Sequence, residues 1–590
     1  MGTIPAPGGL RLAPPSVQVE KRADGALLLR SPQTLGAPAR VVGDWLARWA
    51  RETPDRRFLA ERQGDGWRTM SYAQTLAAVR RVGQALIDRG LGAQRPVAVL
   101  SDNSVDQALL ALGAMHAGVP FVPISPAYSL MSADHAKLRH IVELVRPGLV
   151  HAADPARFAP ALAAIGMSST SVAELLDATP GPLLDAAHAA TGPDTVAKIL
   201  FTSGSTGMPK GVVNTQRMLT ANQQQAVQVW PFLADAPPVV VDWLPWNHTF
   251  GGNYDFNMVL ANGGTMYIDA GKPAPGLIET SVRNLKEIAP TMYFNVPRGF
   301  DLLMPYLESD EQLRRNFFSR CRFVFYAGAA LPQNLWDRFV RLAQESSSEP
   351  VLLVSAWGST ETAPLATAVH YPVDRAGVIG LPVPGCELKL VPSAGKLEVR
   401  LRGPNVTPGY FRREDLTAQA FDDEGFYRIG DALRFVDAAN PELGLAFDGR
   451  VAEDFKLRTG TWVHVGALRV RLIAACDPIV QDAVITGHDR DEVGALLFMN
   501  PAACAGKTRE ELAWRLGAGL AALAREAAGA TSMTVSRVLM LAAPPQLDAG
   551  EITDKGYVNQ RAVLEARAGE VERLHAEPPD AGVIRCPVSD

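Results

Sequence analysis

The chain is poor in cysteine. Its five, Cys321, Cys386, Cys476, Cys504 and Cys586, are scattered, and none forms a Cys-x-x-Cys pair. That spacing excludes a disulfide framework and a structural zinc site and fits a reducing compartment. Charge of one sign is lacking too: the net charge of −5 over 590 residues leaves no basic footprint for nucleic acid. Long hydrophobic runs are missing. The longest, 108–124, is broken by Gly113, His116, Gly118 and two prolines. A membrane span requires roughly 20 unbroken apolar residues, so this stretch reads as a buried helix followed by a strand. The first residues have no charged segment leading into an apolar core, so they do not read as a signal peptide. Ala6 breaks the myristoylation pattern that Gly2 opens. No internal repeat is visible. A cytoplasmic protein without a transmembrane segment is expected.

What is present is globular in texture, 47% hydrophobic and 20% charged, and long enough for two or more domains. One stretch organises the rest: Thr202-Ser-Gly-Ser-Thr-Gly-Met-Pro-Lys-Gly211. It follows an apolar run, 197–201, that reads as the end of a strand, and a helix is expected from about 216 to 228. Glycines let the backbone turn at positive φ, and successive N–H groups in such a turn form a concave nest for phosphate. The hydroxyls of Thr202, Ser203, Ser205 and Thr206 add donors, Gly204 and Gly207 add freedom, and Lys210 adds a point charge. The stretch therefore reads as a phosphate-gripping loop between strand and helix. It is not a Walker loop, because Lys210 follows Pro209 and precedes Gly211 where that pattern demands Gly-Lys-Ser/Thr.

Strand and helix patterns alternate around it. Ser71 is a candidate N-cap for a helix to 89, which Gly90 and Gly92 stop. Short apolar strands are predicted at 96–100, 119–124, 148–151, 239–242, 264–268, 323–326 and 351–354, with helices at 104–117, 277–288 and 333–346. Such alternation argues for α/β layers with largely parallel sheets. From about 382, strand-like pieces separated by Gly/Pro turns predict a β-rich subdomain. After Arg450 a small α+β domain is expected. Its strands fall near 480–487 and 494–499. Its main helix opens on the capping box Thr508…Glu511 and turns Leu512, Leu516, Leu520 and Leu523 inward. A stretch from Ser536 reads as the last strand. The expected division is an irregular leader (1–38), a large N-terminal domain (39–449), a hinge (450–453), a small mobile C-terminal domain (454–568) and a loose polar tail (569–590).

The ten-residue loop resembles the signature loop of the adenylate-forming enzymes: acyl-CoA synthetases, luciferases and peptide-synthetase adenylation domains. In that family it holds the ATP β- and γ-phosphates. Further strings match in order. Leu244-Pro-Trp-Asn-His248-Thr-Phe-Gly251 resembles the family's histidine motif beside the acyl carboxylate. Tyr326-Ala-Gly328-Ala329-Ala330 resembles the turn that presents backbone to adenine and floors the acyl pocket. Trp357-Gly358-Ser-Thr360-Glu361 is similar to the family's Tyr-Gly-x-Thr-Glu. There the aromatic stacks on adenine, the Thr holds the α-phosphate and the Glu binds Mg²⁺. Tyr427-Arg-Ile-Gly-Asp431 and Asp448-Gly-Arg450 resemble the ribose-binding pair. Ala452 stands where the family often has an Asp or Lys hinge. Lys456-Leu-Arg-Thr-Gly460 is similar to the loop that lines the thiol tunnel. Lys555, in Gly550-Glu-Ile-Thr-Asp-Lys-Gly, is the candidate for the C-terminal lysine of the adenylation step.

The resemblance spans about 41–564. It implies ATP, Mg²⁺ and coenzyme A as cofactors, with Lys555, His248, Lys210 and Thr360 catalytic. The chemistry it implies is attack of a carboxylate on the ATP α-phosphorus, then capture of the acyl-adenylate by a thiol. The strings at 449–463 and 550–563 look like bacterial feruloyl-CoA synthetases, which implies a hydroxycinnamic acid. No carrier domain follows Leu564, so free CoA is the expected acceptor. A fatty acyl-CoA ligase, or an acyl-AMP ligase serving a separate carrier protein, stays open as an alternative, and a homodimer is compatible. A non-catalytic acyl-adenylate sensor is disfavoured, because it would be expected to lack the loop lysine or Glu361.

Overall fold

The computed structural model describes residues 4–5, 9–203, 207–274, 276–554 and 556–586. Parallel strands Val97–Leu100, Phe121–Ile124 and Leu149–Ala152 form one side of a five-stranded sheet, Leu149–Ala152 at its edge, with every side chain buried. The helices that cover it are set by their caps. Ser71 Oγ accepts from the Gln74 amide at the start of Tyr72–Asp88, and the Gln74 side chain accepts in return. Ser104 caps helix Val105–His116, buried but for Asp106, by accepting from the Gln107 amide. The two helices cross closely. A Cβ at Gly113 would stand 2.6 Å from Val82 Cγ1, so only glycine permits the approach. The apolar stretch 108–124 is thus a buried helix and a strand. Among the described residues no helix is long and apolar enough to cross a membrane.

A second sheet orders Val239–Asp242, Thr265–Ile268, Arg57–Gln63 and Gly66–Ser71, its first three strands parallel. The third has eleven strands. It opens with parallel Met292–Asn295, Phe323–Tyr326 and Leu352–Gly358, then turns antiparallel through the β-rich region to Glu387–Ser393. The β-rich subdomain is therefore a continuation of an α/β sheet. The leader is not irregular. Gln18–Lys21 and Leu27–Arg30 extend the same sheet, Leu27–Arg30 pairing antiparallel with Glu387–Ser393. Leu28 and Leu29 are buried, and three consecutive leucines among prolines and glycines carry no two-residue alternation to reveal them.

The small C-terminal domain has its own core, built from residues 455 onward. Helix Arg509–Ala527 starts on the Thr508–Glu511 capping box and buries Leu516, Leu520 and Leu523, while Leu512 packs at the margin. Its sheet runs Val480–Thr486, Val493–Met499, Val535–Met540, Val583–Arg585. The expected loose tail is thus a helix, Ala568–Leu574, and an edge strand, and the strand near Ser536 is not the last. The tail's average polarity concealed one anchor, Leu574, which is buried.

The loop at Thr202 also differs from expectation. Val196–Ser203 pairs antiparallel with Pro209–Thr215, Ser203 opposite Pro209, so the loop is the tip of a hairpin. Helix Gln216–Val229 begins only after the second strand, where Thr215 Oγ1 accepts from the Met218 amide. The β-branched run Val212-Val213-Asn-Thr215 favours that second strand, and the sequence pattern of the loop had masked it.

Candidate active site

The hairpin lies against segment 409–411: the Phe411 amide donates to Gly211 O at 2.8 Å, and the Val213 amide to Gly409 O. This brings Lys210 to Tyr410. Lys210 Nζ donates to the Tyr410 hydroxyl at 2.6 Å and stands 3.8 Å from Glu361 Oε1. The Tyr410 hydroxyl donates to Glu361 Oε1 at 3.1 Å and lies 3.1 Å from Tyr427 Oη. Burial lowers the Lys210 ammonium, with Glu361 opposing the shift. Glu361 and Thr360 sit buried in the turn Thr360–Thr362, which Ser359 caps by accepting from the Glu361 amide. Gly358 before it has no space for a side chain, since a Cβ would meet Pro364 O at 1.7 Å.

On the neighbouring strands, Asp431 and Arg450 pair across the ladder. Asp431 is 5% exposed. Trp357 Nε1 donates to its Oδ2 at 3.1 Å, and Arg450 Nε lies 3.2 Å from Oδ1. That second approach lacks hydrogen-bond geometry, so Oδ1 is buried without a hydrogen-bond donor among the described residues. Thr202 Oγ1, at the root of the loop, is in the same condition. Burial raises the Asp431 carboxyl and Arg450 pulls it back. Two buried oxygens in want of donors, beside a lysine and a carboxylate, fit a polyhydroxylated, phosphorylated ligand.

His248 follows strand Val239–Asp242. Its amide donates to Pro245 O, and it opens the π-helical turn Thr249–Asp255. Gly251 and Gly252 are required there, because Cβ atoms would stand 2.3 Å from Leu244 O and 2.2 Å from Trp246 O. Lys198 Nζ donates to Gly252 O at 2.6 Å and ties this turn to the strand leading into the loop. Two residues after His248, half-buried Phe250 sets its ring centroid 5.5 Å from Phe325 and 6.4 Å from Tyr254. His248 Nε2 lies 3.0 Å from Asp554 Oδ2 of the small domain. On the other side of that contact, a Cβ at Gly328 would lie 3.0 Å from the Tyr557 hydroxyl and 3.5 Å from Val296.

Thr202, Gly207, Lys210, His248, Gly328, Trp357, Gly358, Thr360, Glu361, Asp431 and Arg450 thus sit on elements that meet at the ends of these strands, with Ala329 and Ala330 exposed beside Gly328. Gly204, Ser205, Thr206, Lys555 and the side chain of Ser203 lie outside the described residues. Gly460 does not join the site. It turns at positive φ, its amide donating to Leu457 O, while Arg458 bonds to Arg490 within the small domain. Ala452 lies in the short turn Val451–Glu453. Next to it Lys396 Nζ of the large domain meets Asp454 Oδ2 at 2.5 Å. Tyr410, Lys198 and Asp554 escaped the sequence reading. Only the turn signal Thr407-Pro-Gly-Tyr-Phe411 pointed toward Tyr410.

These features define a protein of two parts, a large layered α/β domain and a small domain docked on its strand ends. The chain belongs to the AMP-binding enzyme family, the adenylate-forming superfamily. The model of that family matches residues 46–411, and that of the AMP-binding enzyme C-terminal domain matches 464–578. It is 28% identical over 460 residues to a probable non-canonical nonribosomal peptide synthetase, CymA, of Salinispora arenicola, covering 75% of this chain and 6% of that protein. A long-chain-fatty-acid–CoA ligase of Escherichia coli is 30% identical over 262 residues, 40% of this chain and 44% of the ligase. The chain thus spans less than half the length of both. A feruloyl-CoA synthase from Amycolatopsis is 27% identical over 401 residues, covering 66% of this chain and 75% of the synthase. The O-succinylbenzoate coenzyme A synthetase of Bacillus subtilis, solved with AMP, shares the fold, with a TM-score of 0.67 at 17% identity over 90% of this chain and 98% of that one.

Proposed function

We propose that the protein is an AMP-forming acid–thiol ligase. A carboxylate oxygen attacks the ATP α-phosphorus and pyrophosphate leaves. The thiol of CoA then attacks the acyl carbon, releasing AMP and giving the thioester. The observation that carries this reading is one convergence: the phosphate hairpin with Lys210, Glu361, the acceptor Asp431, and the small-domain turn at His248.

The first step brings two anions together, so its catalysis is positioning and charge stabilisation. Lys210 and the loop amides would hold the β- and γ-phosphates, Thr360 the α-phosphate, and Asp431 with Arg450 the ribose. Trp357 offers a flat face for adenine beside the turn 328–330. Glu361 suits Mg²⁺, because its carboxylate is a hard oxygen ligand next to the phosphate site. When bound, Mg²⁺ neutralises phosphate charge. The acid is already ionised near neutral pH, so no residue has to remove a proton from it. Lys555 follows Asp554, which touches His248, and is proposed to reach the carboxylate and α-phosphate. A turn of the small domain at 450–453 would then exchange Lys555 for the Gly460 loop, a hinge motion.

For the acid we propose a hydroxycinnamate such as ferulate. The aromatic cluster of Phe250, Tyr254 and Phe325, which begins two residues after His248, supports it, as does the likeness to a feruloyl-CoA synthase. A fatty acid is the second reading, favoured by the likeness to a long-chain-fatty-acid ligase. A cytoplasmic location goes with free CoA as acceptor. Ferulate, caffeate, benzoate, octanoate and palmitate, each given with ATP, Mg²⁺ and CoA, separate these readings. Ferulate or caffeate is expected to lead, with AMP and pyrophosphate as products. A preference for palmitate overturns the acid and leaves the reaction standing, whereas ADP overturns the reaction.

A further inference from the structure

We infer that Asp554 is a positioning residue: it latches the small domain onto the acid site for adenylation and fixes His248 in the same contact. The inference rests on the two-step reading above.

Asp554 belongs to a tight turn. The Thr553 amide donates to Tyr557 O at 2.8 Å, the Gly556 amide to Thr553 O at 2.9 Å, and the Tyr557 amide to Thr553 Oγ1 at 3.1 Å. The base of the turn is held by Glu551, which accepts from the Gln546 amide and from Arg567. These bonds on either side of Asp554 hold its backbone in place.

A carboxylate at a turn tip is ordinarily solvated. The Asp554 side chain is instead 3% exposed, and its Oδ2 lies 3.0 Å from His248 Nε2. The Tyr128 hydroxyl also hydrogen-bonds Asp554, and Lys137 lies in its field. A carboxylate leaves water at this cost only where partners meet it. His248, Tyr128 and Lys137 belong to the large domain, so Asp554 meets them only while the domains are docked. Other docking contacts, Lys137 Nζ to Leu547 O and the Ala133 amide to Asp548 Oδ2, lie on the same side of the turn and align it without touching His248.

The contact also acts on His248. The ring nitrogen and the carboxylate share one hydrogen bond, so the contact holds the imidazole in one orientation. Docking therefore sets the orientation of the ring beside the acid, and departure of the small domain releases it. One side chain would couple the position of the domain to the state of the histidine.

Asp554→Asn keeps the shape and removes the charge. Pyrophosphate–ATP exchange is expected to fall about tenfold or more, the loss of a charge-assisted hydrogen bond. Thioester formation from supplied acyl-AMP is expected to stay within about twofold, because the latch is released by then. In His248→Ala the same Asp554 substitution should cost little further, since coupled residues are non-additive. A readout independent of activity is amide hydrogen exchange. Residues 128–137 and 546–557 should exchange faster in Asp554→Asn, with the core of the small domain unchanged. Equal slowing of both half-reactions would reduce Asp554 to a structural role and overturn the inference. So would unchanged pyrophosphate exchange with unchanged amide protection. Inactive wild-type protein whose amides still loosen on substitution would defeat the ligase reading and leave the latch in place.

Discussion

At the scale of single residues, the site sets buried carboxylates, Glu361 and Asp431, against more exposed bases, Lys210 and Arg450. Asp431 Oδ1 has a buried lone pair facing Arg450 without a hydrogen bond, so a ribose hydroxyl that donates to it relieves a cost already present. Asp431→Asn replaces an acceptor-only group with one that also presents donors, and ATP affinity measured by calorimetry should weaken about 10–100-fold. Unchanged affinity would remove Asp431 from the ribose site. Lys198 offers a test through pH. Burial brings its ammonium down to about 7 from an ordinary 10.5. Between those values the unfolded chain holds a proton that the folded one has released, so stability rises with pH across this window. Below about 7 both states are protonated and the penalty is constant. Lys198→Met should flatten the rise in unfolding free energy between pH 7.5 and 9.5, read by denaturant titration. An identical slope in both proteins would show that Lys198 keeps its proton. Thr360, Glu361, Asp431 and Arg450 could be read from the sequence because each stands in a contiguous string. Tyr410 could not, since it meets Lys210 across 200 positions, and Asp554 meets His248 across 306.

At the scale of elements, local signals were legible where caps and periodicity agree. Helices Tyr72–Asp88 and Arg509–Ala527 were visible from their capping residues, and Gln333–Ser346 from its place between two strands. Three features escaped: the hairpin form of the phosphate loop, the leader strands and the edge strand Val583–Arg585. The leader and the edge strand depend on pairing with distant strands and the hairpin on pairing across the Gly-rich loop, which leaves only a weak trace in a short polar or Pro-rich stretch. The leader can be tested directly. Leu29 is fully buried where Leu27–Arg30 lies against Glu387–Ser393. Leu29→Ala should lower the unfolding free energy by about 2–4 kcal/mol in denaturant titration. A neutral result would detach the leader from the sheet.

At the scale of the whole molecule, the small domain has its own hydrophobic core and touches the large one through polar contacts, Lys396 with Asp454 beside the hinge and Asp554 with His248 over the site, and through the partly buried Leu547 packed on the large domain. Polar contacts between separately packed bodies exchange partners at less cost than a shared apolar core. That suits the proposed two-step reaction, in which the docked turn at His248 would serve the first step and the Gly460 loop the second. The measurement that bears most directly on the central claim is exchange of labelled pyrophosphate into ATP by the purified protein with Mg²⁺ and a carboxylic acid, without CoA. Label in ATP that depends on the acid, strongest with ferulate or caffeate, is the predicted result. No exchange with any acid of the panel, from a folded protein that binds ATP, would contradict it.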